Sequence, residues 1–285
     1  SLIDAVDSVA GFSDSPSKID DWLMSKMRAS QKKWIEAMSE VSLREGVMIS
    51  HFEMLSDWHW YLRRGGCDRV TAMTFLEGWI PMLAPATPHI AEEFWKKVGR
   101  ADILAKLVMP IFEEDPNDIR VLAMENYIKK IISSGRNLRT LAERHSDNEI
   151  TKVVIQTSPG WKNDLASEAI SLYKDGFDFK EKGMSHVKSL DAFKDESTRG
   201  EVFQTWNSIT IGGKKTRGRI HTWLDGEREL ISKGINEAEV IKDNSNFIAS
   251  CLEVDSVEVY SVGEDEDVGG KARISFPLEP GIAFV

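Results

Sequence analysis

Two cysteines, Cys67 and Cys251, are all that 285 residues hold. They are far apart and belong to no C-x-x-C spacing, which argues against a disulfide or a thiolate zinc site and leaves two reduced thiols as the expectation. No apolar run approaches the roughly 20 residues of a membrane span, and Ser1-Leu2-Ile3-Asp4 is not a signal peptide, so an intracellular, cytoplasmic chain with no membrane partner is expected. His51, His59, His89, His145, His186 and His221 form no H-E-x-x-H or comparable pair, which argues against metal ligation. Nucleophile elbows and G-x-G-x-x-G are missing as well. Gly212-Gly213-Lys214-Lys215-Thr216 lacks the leading glycine of a phosphate-binding loop and has its lysine and threonine out of step. No catalytic site is recognisable.

Positive charge is also in short supply. With 36 Lys and Arg against 46 Asp and Glu, the net charge is −10, which argues against a generic nucleic-acid coating protein, because phosphate binding needs clustered cations. The cations are nevertheless gathered. Lys129, Lys130, Arg136, Arg139 and Arg144 lie along one predicted helix, and Lys214, Lys215, Arg217 and Arg219 form a second group. Acid concentrates near the end, in Glu253, Asp255, Glu258, Glu264, Asp265, Glu266 and Asp267. Each run also reads as ordinary solvated surface.

The length suffices for two domains, each with its own core, and the composition is that of a soluble globular protein. A chain opening on Ser1 without an initiator Met reads as a piece of something longer. Ser17 is an N-cap candidate for a helix to about Glu40, with Ile19, Trp22, Leu23, Met27, Trp34 and Met38 at helical spacing. A second helix is predicted from Leu43 to Arg64, with Met48, Phe52, Leu55, Trp58 and Leu62 on its buried stripe and Gly65-Gly66 as its stop. A third runs from Asp68 to Leu83. Thr87 is a plausible N-cap, with Pro88 at the first position, for a fourth ending at Val98. Apolar Met73, Leu76, Ile80 and Leu83 then meet Ile90, Ala91, Phe94 and Trp95 across a proline-bracketed corner. Short links between such helices make a bundle filled by Trp and Met.

Asp115-Pro116-Asn117-Asp118 is the best boundary, giving residues 1–116 to the helical bundle and 117–285 to a second domain. There a long helix from Arg120 to about His145, weakened at Gly135, precedes a strand, Lys152 to Thr157, and a helix from Trp161 to Lys174. The chain from Asp178 to Leu230 reads as mainly helical. Ile235 to Leu252 is expected as one further helix and Ser256 to Val262 as a half-buried strand. Arg273-Ile274-Ser275-Phe276 is expected to pair with that strand across the acidic loop, and Ile282 to Val285 to add an edge or stay mobile. The fold class is therefore α plus α/β, a small sheet of about three strands covered by helices.

The corner is more specific in wording than its packing requires. Leu83-Ala84-Pro85-Ala86-Thr87-Pro88-His89-Ile90-Ala91-Glu92-Glu93-Phe94-Trp95 resembles a segment in the anticodon-binding helical domain of class I leucyl-, valyl- and isoleucyl-tRNA synthetases. Trp60-Tyr61-Leu62-Arg63-Arg64-Gly65-Gly66 looks like a helix end of the archaeal and eukaryotic leucyl type. The ending from Phe276 to Val285 is similar to the tail of the archaeal branch, except that Glu279 stands where that pattern has lysine and the final acid is missing. That departure removes any charge-based argument for the tail.

The resemblance implies the C-terminal part of a leucyl-tRNA synthetase, an enzyme that uses ATP and magnesium. The catalytic Rossmann domain, with its HIGH-like and KMSKS-like motifs, and the editing domain are not in this sequence, so no cofactor is expected in these residues. What the resemblance implies here is grip on leucine tRNA, its body by the bundle and its long variable arm by the second domain, with the catalytic and editing domains as further partners. Candidate RNA contacts are Arg63, Arg64, Lys129, Lys130, Arg136, Arg139, Lys214, Lys215, Arg217 and Arg219. The tail Pro280, Gly281, Ile282, Ala283 and Phe284 offers main-chain and apolar groups to a base, or merely completes the sheet. A protein-interaction scaffold, and the same region of a valyl or isoleucyl enzyme, are the alternatives.

Overall fold

Helix α1 (Leu2–Ser8) precedes the first long helix, α2 (Lys18–Ser39). The latter starts where the Ser17 amide and hydroxyl both donate to the Asp20 carboxylate, an N-terminal box that satisfies otherwise orphaned donors. A computed structural model of the chain describes residues 2–145, 150–190, 193, 196, 199–213, 216–261 and 271–285. The chain divides into two units, Ser1–Leu122 and Ala123–Val285.

In the first unit, α3 (Leu43–Val47), a π turn (Met48–Glu53) and α4 (Met54–Arg63) stand where one helix is expected. Helices α5 (Arg69–Leu83), capped by Asp68, and α6 (Pro88–Lys97) follow. The wider π turn adds a residue and rotates the downstream helix about its axis. It corrects the first half of the expected stripe: Met48 and Phe52 are 45% and 59% exposed, whereas Trp58 is buried and Leu55 and Leu62 pack partly buried on the core as expected, joined by buried Ile49, Met54 and Tyr61. Trp79 Nε1 donates to the Ser50 carbonyl inside that turn at 2.6 Å. Stacked Phe12, Trp58 and Phe75, with Trp79 edge-on to Phe75, form the centre of the core. At the corner, Leu76, Ile80, Leu83, Ala91, Phe94 and Trp95 are buried as expected, but Ile90 is half exposed. Thr87 occupies the N-cap position without capping; its hydroxyl faces the Leu83 carbonyl and His51 Nε2, each at 3.2 Å.

The segment after α6 is held to α2 by side chains rather than by a sheet. Buried Gln31 donates to the Pro110 carbonyl (2.7 Å) and accepts from the Phe112 amide (2.9 Å). Arg28 grips Asp118 with two parallel bonds of 2.7 and 2.6 Å.

Helix α7 (Asp118–His145) contains the division between the units and continues through Gly135. A Cβ there would lie 2.7 Å from Leu252, so the missing side chain is what lets that neighbour approach. In the second unit, β1 (Lys152–Gln156), α8 (Gly160–Lys174), α9 (Gly183–Ser189), α10 (Arg199–Thr210), α11 (Asp225–Ser232), α12 (Glu237–Asp243), α13 (Ser245–Leu252), β2 (Ser256–Tyr260), α14 (Lys271–Ile274) and β3 (Gly281–Phe284) follow in order.

The sheet order is β2-β1-β3. Strand β1 runs parallel to β2, with Val154 opposite Glu258, and antiparallel to β3, with Val154 opposite Ala283. Its central place explains the apolar Val153-Val154-Ile155 run, which is buried throughout.

Two expectations are corrected. Residues 273–276 do not pair with β2: Arg273 and Ile274 end α14, and the tail supplies the third strand instead. The helix expected over 235–252 breaks at Asn244, whose side chain donates to the Val240 carbonyl and thereby competes with the next helical turn. The acidic 263–270 loop lies outside the described residues. Among the described residues, no helix is long and apolar enough to cross a membrane.

Candidate functional site

The end of α4 presents the first pair of cations. Gly65 adopts φ +84°, the left-handed conformation that closes a helix, and a Cβ on Gly66 would lie 2.2 Å from the Tyr61 ring. Tyr61 is pinned in turn: its hydroxyl donates to Asp20 at 2.6 Å and accepts from the Asp68 amide at 3.0 Å. Burial and the bond to Asp20 push its phenol well above the usual range. Gly65 therefore serves the helix end, and Gly66 the core. Arg63 projects from this corner, exposed, with its guanidinium 5.8 Å from the Trp60 ring centre, and Arg64 follows half-buried.

The α7 cations separate into two roles. Lys129 is half-buried and Lys130 pairs with the buried carboxylate of Glu227. Arg136 Nε donates to the Cys251 carbonyl at 3.2 Å. Arg139 donates to the carbonyls of Leu252 and, at 2.7 Å, Glu253, while its Nε holds Glu143 at 2.8 Å. Both arginines thus satisfy the C-terminal carbonyls of α13, where Glu253 takes the left-handed conformation at φ 53°. Arg144 remains exposed at the end of α7.

In the second cluster, Lys214 and Lys215 lie outside the described residues and Arg217 is exposed. Arg219 is engaged: it stacks 3.5 Å from the centre of the Phe276 ring and bonds Glu279 (2.9 Å) and Ser208. Tail residues Gly281 and Ile282 are buried, Pro280, Ala283 and Phe284 partly so. The ladder continues beyond them through Val285, which exchanges both main-chain bonds with Lys152. The tail backbone facing β1 is therefore occupied. Among the described residues no strand covers its other edge.

Sequence reasoning missed two features of this unit. Glu237 is 4% exposed and accepts from the Tyr127 hydroxyl at 2.7 Å; burial pushes its carboxyl up to about 7. Lys162 is 3% exposed beneath α14, donating to the carbonyls of Arg273 (2.8 Å) and Ser275 (2.9 Å), 5.0 Å from the Phe276 ring centre. Neither residue belongs to a motif. A helical stripe, Glu201, Gln204, Thr205 and Ser208, was available as a signal for the cleft that Lys162 floors. Among the described residues no three His, Cys, Asp or Glu side chains converge to hold a metal.

Residues 20–155, from Asp20 in α2 to Ile155 in β1, match the anticodon-binding domain of tRNA ligase. Over 93% of its length the chain is similar to leucine–tRNA ligases. It is 28% identical to that of Methanococcus maripaludis (strain S2), covering 24% of the relative. It is 26% identical to those of Methanococcoides burtonii and Pyrococcus furiosus, covering 26% and 25% of them. The chain thus spans about a quarter of the length of the curated relatives it matches.

Proposed function

We propose, on the premise that residues 20–155 belong to the anticodon-binding domain family of tRNA ligases, that this chain grips leucine tRNA as part of a leucyl-tRNA synthetase. The observation that carries this reading is the similarity to leucine–tRNA ligases across both units rather than the first alone. The helical unit holds the tRNA body, with Arg63 and Arg64 as phosphate contacts presented by a rigid helix end. The second unit reaches the long variable arm through Arg217, the neighbouring lysines and the open edge of the tail. ATP and magnesium act in the catalytic domain of the longer protein, not on these residues, and that domain and the editing domain share the tRNA in the cytoplasm.

The test is titration with leucine tRNA and with the same tRNA shortened in its variable arm, at two salt concentrations. Tighter binding of the intact tRNA, with affinity falling steeply as salt rises, is the expected result. Equal affinity for both would remove the role given to the second unit. Salt-insensitive binding would favour a protein-docking scaffold.

A further inference from the structure

The tail reaches β1 through one tight turn. Phe276 and Glu279 exchange two main-chain bonds, of 2.9 and 2.8 Å, around Pro277 and Leu278. Pro277 suits the first corner because its φ is fixed, but Leu278 takes φ +59° at the second, where glycine is the usual residue. A leucine held there is strained and persists only where its surroundings impose it. Its side chain is 2% exposed. Its amide faces Glu237 at the start of α12, whose carboxyl also accepts from Tyr127 in α7 at 2.7 Å. That carboxyl is enclosed, yet its Oε1 makes no hydrogen bond among the described residues. On the outer side of the turn, Arg219 ties Glu279 at 2.9 Å and stacks on Phe276.

We propose that Glu237 is a proton-operated latch on the tail: neutral, it lets the 276–279 turn close and β3 seat on β1; ionised, it loosens that turn and frees the strand. The physical reason is water. A buried carboxylate with one oxygen unpartnered recovers its hydration only where the wall around it opens. The turn is the weakest part of that wall, being strained and followed by an edge strand of four residues, whereas α7 and α12 are helices. Charge acts in the same direction. Glu279 faces Glu237 from the turn and disfavours a second negative charge there, while Tyr127, from α7, favours it. On β2, against which α12 also packs, Glu258 accepts from Tyr260 and Lys152. Burial outweighs these effects and places the carboxyl at about 7, so the latch works near neutrality. It does not depend on RNA binding.

The test follows amide hydrogen exchange of the full chain, without RNA, from pH 5 to 8, as protection factors corrected for the intrinsic pH dependence of exchange. Residues 281–285 should lose protection at least tenfold between pH 5 and 7 and level off above it. The seated strand holds a proton that the freed one, with an ordinary carboxyl near 4.5, gives up. At every pH these amides should exchange at least tenfold faster than those of α8, which marks opening of the tail alone. Glu237→Gln, which cannot ionise, should keep tail protection constant across the range. Tyr127→Phe removes a donor to the carboxylate, so the levelling-off should move to higher pH; this variant decides the matter if the glutamine variant does not fold. Tail protection that is flat in the parent chain, or equal to that of α8, would overturn the latch. So would a fall that persists in Glu237→Gln, or a levelling-off that Tyr127→Phe leaves in place.

Discussion

Each unit buries a tyrosine hydroxyl against a carboxylate, and the two carboxylates are solvated differently. In the helical unit Asp20, 5% exposed, receives the Ser17 amide, the Ser17 hydroxyl and the Tyr61 hydroxyl. In the α/β unit Glu237 receives Tyr127, and its other oxygen, Oε1, makes no hydrogen bond among the described residues. At Glu237 the Tyr127 hydroxyl and the Leu278 backbone do not replace the water lost on burial, so desolvation dominates and lifts it to about 7. In the first pair Asp20 is fixed by local capping geometry at the start of α2, and Tyr61 reaches it from α4. The second joins α7 to α12, elements more than a hundred residues apart.

Breaking the helical side of this comparison should give the largest effect. Trp58 is fully buried between Phe12 and Phe75, and Trp58→Ala should cost about 3–5 kcal/mol. Chemical denaturation followed by near-UV circular dichroism would show it, and a loss below about 1 kcal/mol would mean the aromatic stack is not the centre of that core.

The α/β side is addressed by pH. Because the folded pKa of Glu237 lies above its unfolded value of 4.5, its stabilising protonation is fully present below about pH 4.5 and is lost as pH rises through about 7. At 1.36 kcal/mol per unit this is roughly 2–4 kcal/mol. Glu237→Gln should flatten stability between pH 5 and 8, and a slope identical to that of the parent chain would show that another group titrates.

Arg139→Ala should remove charge-assisted bonds to the end of α13 at about 1–3 kcal/mol. Faster hydrogen exchange in 245–253 would report it, and exchange rates equal to those of the parent chain would show that Arg139 does not hold the end of α13. The smallest stability change belongs to Lys214→Ala, Lys215→Ala and Arg217→Ala combined, with Arg219 left in place because it is anchored to Phe276 and Glu279. Thermal melting should be unchanged within about 0.5 kcal/mol, while tRNA affinity falls and loses part of its salt dependence. Full affinity would exclude this cluster from the interface.

Much of the architecture could be read without coordinates. The helix start at Ser17, the stop at Gly65, the proline-bracketed corner and the apolar β1 run each express a rule that acts within a few residues. The buried stripe of 43–64 was legible at Leu55, Trp58 and Leu62 but not at Met48 and Phe52, because they lie in a π turn, which leaves a sequence looking like any other helix while changing which residues face inward. The candidate cations were visible as charges, but not their partners: Arg136, Arg139 and Arg219 each face a segment roughly 60 or more residues away.

From the sequence alone come a Trp- and Met-filled helical bundle and a helix–strand–helix order after it, because periodicity and capping are properties of neighbouring residues. Only the tertiary structure decides that the tail, not residues 273–276, completes the sheet, and that Lys162 and Glu237 are buried charges. Strand pairing and desolvation depend on which distant groups arrive at the same place, and no local spacing encodes that.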